Sequence, residues 1–527
     1  MLSVVTQQLS QLSLANIQRT IRRSYVSRML LVMSMIGIAF AIVFAGSFMI
    51  GKTNIGVFIF GGIIAGMVAL SIALKPEGGL YVLIVFVFAN VSDVLEVAFK
   101  IPSTNKPLVA LIFVGTLGSR IVLQRKQLIF RTTEISILVF GLALIASLFT
   151  AVDKTESISI AVDWVKDFAI LIIMVQLCTR ESVYKKAIWA VILTAGFLSL
   201  LSTYQNITRD FANNFYGLAN APVHQITSGF DSVRVTGPLD DPNYYGMILL
   251  SVLPAAIYRF FDDEKRWRRI LGGICAGLIV TTVILTYSRG GFVALIVVSA
   301  LIIRDRKMNP YKIAGIIIFA LVVVSPILPK GFAARITTLG GFVGGDEGKR
   351  QTESSFRGRT SEMIVAVQMF QDRPIFGVGR DNYPKLYQHY SRRVGLDDRT
   401  QEREAHNLYL ETAAEMGIVG LAAFTIMIIA IFKGLFSAKQ DVVTINRHDL
   451  VPWISGIQYG LVAYLVASIF LHGSNIRYFW LIISFSLASR VMVEQLLAQH
   501  QRRRREQSQT SALPEIITQS TTISLGI

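Results

Sequence analysis

His406 is the residue of this sequence best suited to proton transfer, because it stands directly before an apolar run that begins at about 407. The positive end of a helix dipole and partial burial both disfavour the imidazolium form. A histidine kept neutral near pH 7 can act as a general base. Gly417 follows eleven residues later on the same predicted face, where it would let a neighbouring helix approach closely. The alternative is a histidine that only caps a helix at the membrane interface.

Arginines form a second group of candidates, since a guanidinium binds phosphate in a bidentate manner and keeps its charge when desolvated. Arg289 lies in a glycine-containing turn between two apolar runs. The others lie in two longer polar segments and are Arg234, Arg357 and Arg359. Together in one pocket they would suit a diphosphate, whereas each alone could be an interfacial anchor or a salt-bridge partner. Tyr287 and Asn243 could donate hydrogen bonds in the same pocket.

Carboxylates stand close to these candidates. Asp240 and Asp241 could form a metal or base site, but a proline-containing turn that caps the next helix is the favoured interpretation. Glu411 and Glu415 are one turn apart, where they could orient His406 or an arginine, or pair with a loop cation. The other histidines have no metal-ligand spacing, and there is no glycine-rich phosphate loop. We therefore expect neither a metal nor a cofactor.

The elements that position these residues are membrane helices. Of 527 residues, 53% are apolar and only 16% charged, with a mean hydropathy of +0.54. Apolar runs of roughly 16–22 residues recur, which is the length needed to cross a bilayer as a helix. They predict an all-α membrane protein, a polytopic bundle of about 12–14 transmembrane helices. The runs are 29–50, 55–74, 80–97, 108–123, 134–152, 162–178, 187–203, 243–260, 270–286, 291–303, 313–329, 407–432, 454–471 and 479–497.

Lysine and arginine alternate between loops, and this alternation predicts the orientation. Basic residues concentrate at 19–28, 125–131, 180–186, 265–269, 304–312 and 502–505. By the positive-inside rule these loops and both termini are cytoplasmic. The net charge of +17 is thereby explained by topology, and no nucleic acid is expected as a partner. The candidate residues then lie on the side of the membrane away from the cytoplasm.

Four regions follow from this topology. They are a cytoplasmic segment 1–28, an N-terminal transmembrane region 29–203, a catalytic region 204–497 and a disordered polar tail 498–527. The catalytic region contains the large outer loop 330–406, which is too long for a simple connector. Within this loop Arg359, Met363, Val367 and Phe370 share one helical face, which predicts an amphipathic helix that starts after Gly358. The stretch around Asp93 and Glu96 is compatible with a re-entrant segment.

Several segments resemble the O-antigen ligase/O-antigen polymerase superfamily of bacterial membrane glycosyltransferases, over roughly residues 230–480. AHNLYLETAAEMGIVGL resembles the family's histidine motif, His followed by ten residues and Gly, which His406 and Gly417 fit. TYSRGGFVAL resembles its arginine motif, Arg followed by three residues and Leu. Here Val293 takes the place of that leucine, and Leu295 follows two residues later. RVTGPLDDPNYYG and DRPIFGVGRDNY also resemble family blocks.

The resemblance implies transfer of a glycan from a polyprenyl-diphosphate carrier to a saccharide, lipid or protein acceptor at the periplasmic membrane face. His406 would deprotonate the acceptor hydroxyl, which attacks and inverts the anomeric carbon. Arg289, supported by Arg359 and Arg234, would hold the diphosphate and stabilise its growing charge. Whether the chain is a polymerase or a ligase stays open.

Two other classes of function compete. Some members of the superfamily carry an inorganic-carbon transporter label, so a transporter of inorganic carbon or another solute, or a lipid flippase, is a rival. Transporters commonly show internal repeats and charges at the membrane midplane. Here the polar residues gather at one face, which favours chemistry at that face. A purely structural scaffold would leave the arginine and histidine cluster unexplained.

Overall fold

The computed structural model describes residues 76–227, 230–311, 315, 346–395, 402–471 and 477–523, with side chains left out at 123, 224–232, 346–358, 394 and 509–523. The predicted spans at 29–50, 55–74 and 313–329 lie outside the described helices. The described helices are α1 Pro76–Phe88, α2 Val91–Phe99, α3 Asn105–Leu117, α4 Thr132–Ser147, α5 Lys154–Leu177, α6 Glu181–Thr208, α7 Pro242–Asp262, α8 Arg266–Leu285, α9 Arg289–Asp305, α10 Asp346–Asp372, α11 Tyr383–Val394, α12 Leu408–Thr444, α13 Val451–Ala467 and α14 Arg477–Ile523.

Helices long and apolar enough to cross a membrane dominate the described chain. There are seven among the described residues, and the bent pair α1–α2 makes an eighth if it is one broken span. The seven are Asn105–Val122, Glu181–Thr208, Pro242–Asp262, Arg266–Leu285, Leu408–Thr444, His448–Ala467 and Arg477–Ser508. The prediction of an all-α polytopic membrane bundle is confirmed. The one described sheet is a small hairpin, β1 Val223–Thr227 with β2 Phe230–Val233.

The predicted span at 80–97 is broken. Helices α1 and α2 meet at 62°, and Asn90 between them has a left-handed backbone with φ of 53°. Asn90 donates from Nδ2 to the carbonyl of Pro238 at 2.9 Å, which fixes the break against the segment that leads into α7. The polar turn around Asp93 is thus held at the end of the bundle that carries His406.

Small residues let the central helices pack closely. A Cβ atom added to Gly460 of α13 would lie 2.1 Å from the carbonyl oxygen of Ser251 in α7. Gly456, one turn earlier, faces Ala255 of α7 at 2.8 Å in the same way. Packing of this kind replaces the hydrophobic driving force that is absent between helices in lipid. This close packing of α7 against α13 fixes the start of α7 and the end of α13, which lie at the end of the bundle that carries His406.

Helix α12 is broken at Gly417, whose φ of 64° and ψ of −163° are not helical. A segment from the preceding loop, residues 373–382, lies along this break and is called the docking segment below. The amides of Ile418 and Val419 donate to the carbonyls of Pro374 and Ile375, at 2.8 and 3.3 Å. A Cβ at Gly417 would lie 2.3 Å from the Ile375 oxygen, so this glycine admits a loop rather than the neighbouring helix that the sequence analysis expects.

Helix α10 exists in the loop where an amphipathic helix is predicted, but its start and its buried face differ from the prediction. It begins at Asp346, and its buried residues are Ser361, Glu362, Val365, Ala366 and Met369. Val367, placed on the buried face by the sequence, is 40% exposed. The reason is that α10 packs on α11 and α12 in a small core that contains Tyr383, Tyr387 and Ala414, so these partners select the face.

Helix α14 continues to Ile523, where the sequence analysis expects a disordered tail from about 498. The first part of the stretch after the last apolar run, from Ala498 to Gln509, is rich in Gln and Arg. These residues have high helix propensity even though they bury no core, so the span can continue as helix beyond the membrane. The structure describes residues 498–523 as part of helix α14.

Candidate functional site

The start of α7 is capped by Asp241. Its Oδ1 accepts from the amides of Asn243 at 2.6 Å and Tyr244 at 3.0 Å, and Pro242 occupies the first helical position. This confirms the proline-containing turn that the sequence favours over a metal or base site. These hydrogen bonds also hold the Asp241 carboxylate in place, and its negative charge raises the pKa of Arg359 and of His406.

Arg234 is buried beneath the turn that joins α8 to α9. Its Nε donates to the carbonyl of Thr286 at 2.8 Å, and its Nη2 donates to Oδ1 of Asn243 at 3.0 Å. Arg234 therefore ties the segment before α7 to the end of α8. Arg234 and Asn243, both predicted for the site, are neighbours and hydrogen-bond to each other. Through the bond to Thr286, their side chains stabilise the α8–α9 turn.

The α8–α9 turn presents Arg289 at the first position of α9. Ser288 caps this helix, with Oγ accepting from the amide of Gly291 at 3.2 Å. Tyr287 before it is buried and has a positive φ of 53°. Burial and then the positive charge of Arg359 lower the pKa of the Arg289 guanidinium, which stays protonated at neutral pH. A desolvated cation at a helix start suits an anionic ligand.

His406 stands one residue before the cap of α12. Asn407 is that cap, with Oδ1 accepting from the amides of Tyr409 and Leu410 at 3.0 Å each. Asn407 Nδ2 also donates to the carbonyl of Ile469 at 3.1 Å. The predicted helix start is confirmed, and the capping role that was the alternative for His406 belongs to Asn407 instead.

The surroundings of His406 favour the neutral imidazole. Burial, followed by the positive charges of Arg359 and Arg403, lowers the pKa of His406 to about 4, although Asp241 acts in the opposite direction. The ring is therefore uncharged near pH 7, as the sequence predicts. Arg403 was not among the predicted residues, because only the folded chain shows that its charge reaches the ring.

Arg359 connects the histidine with Arg289. Its positive charge lowers the pKa of both groups. Burial also lowers the pKa of Arg359 itself, while the carboxylates of Glu362 and Asp241 raise it. Because these groups shift one another's pKa, they lie within electrostatic reach of one another. The neighbourhood is formed by the start of α7, the start of α9, helix α10 and the start of α12, and it contains Asp241, Arg289, Arg359 and His406. The side chain of Arg357, a further predicted residue, lies outside the described part of the chain.

A buried ion-pair network supports this neighbourhood from the α12 side. Arg380 of the docking segment is 1% exposed and pairs with Glu411 at 3.2 Å and with Glu415 at 2.8 Å. Although burial lowers it, Glu415 and Glu411 raise the pKa of Arg380 above its ordinary value. Of the alternatives for Glu411 and Glu415, the structure shows pairing with a loop cation. Sequence reasoning missed Arg380; two glutamates one turn apart in an apolar run were the only available signal.

Glu404 stands two residues before His406 in the chain. Burial, followed by the negative charges of Glu415 and Asp381, raises the pKa of Glu404 to about 7. Among the described residues, no group of three or more His, Cys, Asp or Glu side chains could hold a metal ion.

Two of the candidate positions carry unusual backbone geometry. His406 has a φ of 45° and Tyr287 a φ of 53°, and neither residue is a glycine. Positive φ costs free energy in residues with a side chain, and such outliers gather at functional sites where packing enforces them. His406 is itself a candidate for proton transfer and Tyr287 stands two residues before Arg289, so the backbone strain and the charge cluster coincide.

Comparison with known families addresses the same part of the chain. The family model described as O-Antigen ligase matches residues 274–425, from within α8 to within α12, and so includes Arg289, Arg359 and His406. No curated protein matches the chain. This match over residues 274–425 supports the resemblance to the O-antigen ligase/polymerase superfamily for that part of this polytopic membrane protein.

Proposed function

We propose that this protein transfers a glycan from a polyprenyl-diphosphate carrier to a saccharide, lipid or protein acceptor at the periplasmic face of the bacterial inner membrane. One observation carries the proposal. The positive charge of Arg359 acts on both Arg289 and His406, so an anion site and a proton acceptor share one partly buried neighbourhood. A glycosyl transfer from a diphosphate needs these two functions side by side.

The reaction assigns one step to each group. His406 accepts the proton of the acceptor hydroxyl, whose oxygen attacks the anomeric carbon of the donor sugar. The bond from that carbon to the diphosphate oxygen breaks, and its electron pair stays on the departing diphosphate. Arg289 and Arg359 stabilise the added negative charge, and Arg234 supports the α8–α9 turn. Attack opposite the leaving group inverts the anomeric carbon.

Donor binding also adjusts the proton acceptor. Burial and two arginines, Arg359 and Arg403, lower the pKa of His406 below its ordinary value. A bound diphosphate offsets those positive charges, so the pKa of His406 rises towards the working pH once the donor is in place. A base whose pKa lies nearer the ambient pH accepts a proton more effectively. The histidine becomes an adequate base only when there is a donor to react with.

Neither a metal nor a nucleotide is part of the proposal. The polyprenyl diphosphate is itself a good leaving group, and the partly buried Arg289 and Arg359 supply the positive charge that Mg²⁺ supplies in many phosphate sites. The transfer is therefore expected to persist in EDTA.

The test uses the purified full-length chain in lipid nanodiscs. Lipid-linked glycan and acceptor, extracted from cells that lack the chain, are added with EDTA, and release of polyprenyl diphosphate is measured. Wild type should turn over. His406→Ala and Arg289→Ala should each lose about 10²–10⁴-fold in kcat, the range for a general base or a charge-stabilising group.

The matched control is Arg393→Ala, which removes an arginine that is exposed on α11 and paired with Asp372. It should keep wild-type turnover. Wild-type activity in both site variants would refute the assignment of residues, and no glycan transfer by wild type would refute the function.

One observation favours a second candidate, a transporter. The broken pair α1–α2 lines a cleft together with charged residues of α5, and broken helices beside charged groups are typical of transporters. Proteoliposomes that contain the chain separate the two functions. Uptake of bicarbonate or another solute, abolished by His406→Ala without any glycan transfer, would establish the transporter.

A further inference from the structure

A polar cleft of about 410 Å³ opens beside the candidate site at the His406 end of the bundle. Its walls are the α1–α2 break, one face of α5, the segment before α7 and the start of α14. Its volume falls within the range of sites that enclose small ligands. The cleft reaches Asp241, the residue whose charge acts on both His406 and Arg359.

Three buried side chains that line the cleft have a polar atom with no hydrogen-bond partner among the described residues. They are Asn90 Oδ1, Asp167 Oδ1 and Tyr478 OH. The residues are only 6%, 2% and 5% exposed, and the Nζ of Lys166 stands 3.9 Å from Asp167 Oδ1, too far for a hydrogen bond. Buried polar atoms are almost always satisfied in native proteins. All three belong to residues that line one cleft, and we take them as groups that a ligand with hydroxyl groups could satisfy there.

The charges of the cleft decide which ligand class fits. Its carboxylates are those of Asp93, Asp163, Asp167, Asp240 and Asp241. The five carboxylates are opposed by three cations, which are all engaged. Lys166 and Lys106 pair with Asp163 at 3.1 and 3.5 Å, and Arg477 pairs with Asp93 at 3.2 Å. This excess of negative charge repels phosphate and uronate groups. Carboxylates and an amide oxygen accept hydrogen bonds, so hydroxyl and ammonium groups are favoured.

We propose that this cleft binds a sugar residue of the substrate, uncharged or aminated, and orients it towards His406. The inference rests on the proposed function and deepens it: the arginines hold the diphosphate, and the acidic cleft holds sugar hydroxyls. Asp241 stands at the boundary between the two. Sugar binding by carboxylates and tyrosines also excludes an anionic sugar from this position.

The experiment measures the initial rate of transfer against donor and acceptor concentration separately, with the extracted lipid-linked glycan and acceptor in nanodiscs. Tyr478→Phe removes one hydroxyl with little change of shape. It should raise KM for one of the two glycan substrates by about 5- to 20-fold, the loss expected for one hydrogen bond in a buried site. The kcat should stay within about threefold and the affinity for sugar-free polyprenyl diphosphate should be unchanged. Which KM rises identifies the sugar as that of the donor or of the acceptor.

Asp163→Asn is the second variant, chosen because its carboxylate is partly exposed and a neutral amide is tolerated there. It should raise the same KM. The matched control is Tyr184→Phe, which removes an equally buried hydroxyl, bonded to Ser489 Oγ at 2.6 Å and remote from the cleft. It should leave both KM values unchanged.

The outcomes separate this inference from the function on which it rests. If wild type transfers glycan while Tyr478→Phe and Asp163→Asn keep both KM values, the cleft does not bind sugar and the proposed function stands. A weaker affinity for sugar-free polyprenyl diphosphate would assign the cleft to the diphosphate and overturn the inference. Absence of transfer by wild type counts against the proposed function, and with it this inference.

Discussion

Replacing Arg359 by glutamine removes the positive charge that acts on both members of the proposed site. In the wild type, burial, Arg359 and Arg403 lower the pKa of His406 from 6.5 to about 4, which amounts to about 3 kcal/mol against the imidazolium. Burial, the largest cause, and Arg403 remain in the variant. The pKa of His406 in Arg359→Gln should therefore lie above about 4 and below its ordinary 6.5.

The assay is the pH dependence of kcat/KM for the donor, which reports ionisations of the free enzyme. At pH 5, one unit above its pKa, about 90% of His406 is neutral in the wild type, so the rate should be nearly level down to that pH. The acid limb of Arg359→Gln should begin at higher pH. Glu404, whose pKa is about 7, can also titrate here, and both enzymes are best compared in a Glu404→Gln background.

Arg393→Gln is the control, since it deletes an exposed charge of the same type on α11 and should keep the wild-type limb. The kcat profile provides a second check. With the site saturated by donor, the diphosphate offsets the arginines, so the wild-type acid limb should move upwards relative to that of kcat/KM. Identical limbs in wild type and Arg359→Gln, or no displacement on saturation, would refute the electrostatic connection between Arg359 and His406.

Three further predictions concern the support of the site. Arg380→Met leaves two buried glutamates without their cation and should cost about 3–5 kcal/mol, seen as a lower thermal midpoint in detergent; an unchanged midpoint would contradict the network. Gly417→Ala should prevent accumulation, because its Cβ would collide with the docking segment at a positive φ, whereas Gly434→Ala, with nothing nearer than 3.9 Å, should accumulate normally. In the folded protein the pKa of Glu404 is about 7, above its ordinary 4.5, so folding favours the protonated form. The free energy of unfolding should therefore fall as the pH rises from 4.5 to 7. In wild type the thermal midpoint should fall over this pH range, and in Glu404→Gln that part of the fall should be absent. An identical pH dependence of the two midpoints would argue against a raised pKa.

The sequence predicts those features of the fold that the lipid bilayer requires, namely apolar helices of spanning length and the positions where they start. Apolar runs of span length predict the helices, and the Asp241 turn predicts a helix start that the structure confirms. The start of α12 at Leu408 is likewise predicted from the apolar run that follows His406. Each of these signals is local, since a run or a cap is complete within a few residues.

Features that depend on a distant partner are not predictable in this way. Arg380 and Glu411 are separated by thirty-one residues, and no periodicity shows that they pair. The buried face of α10 is chosen by the tyrosines of α11, although Met363 and Val367 are equally apolar. The break at Gly417 is hidden within a continuous apolar run, because the loop that satisfies its backbone lies about forty residues earlier.

The backbone bonds between the docking segment and α12 bear on how members of such a family can be recombined. The amides of Ile418 and Val419 find their acceptors in Pro374 and Ile375 rather than in their own helix. Suppose that the loop of a relative replaces this one, but the first turns of α12 are kept. The two amides would then lose their acceptors in an apolar environment, where no water can accept their hydrogen bonds. A chimaera made to exchange substrate preference should therefore take all residues from about 373 to about 419 from the same parent.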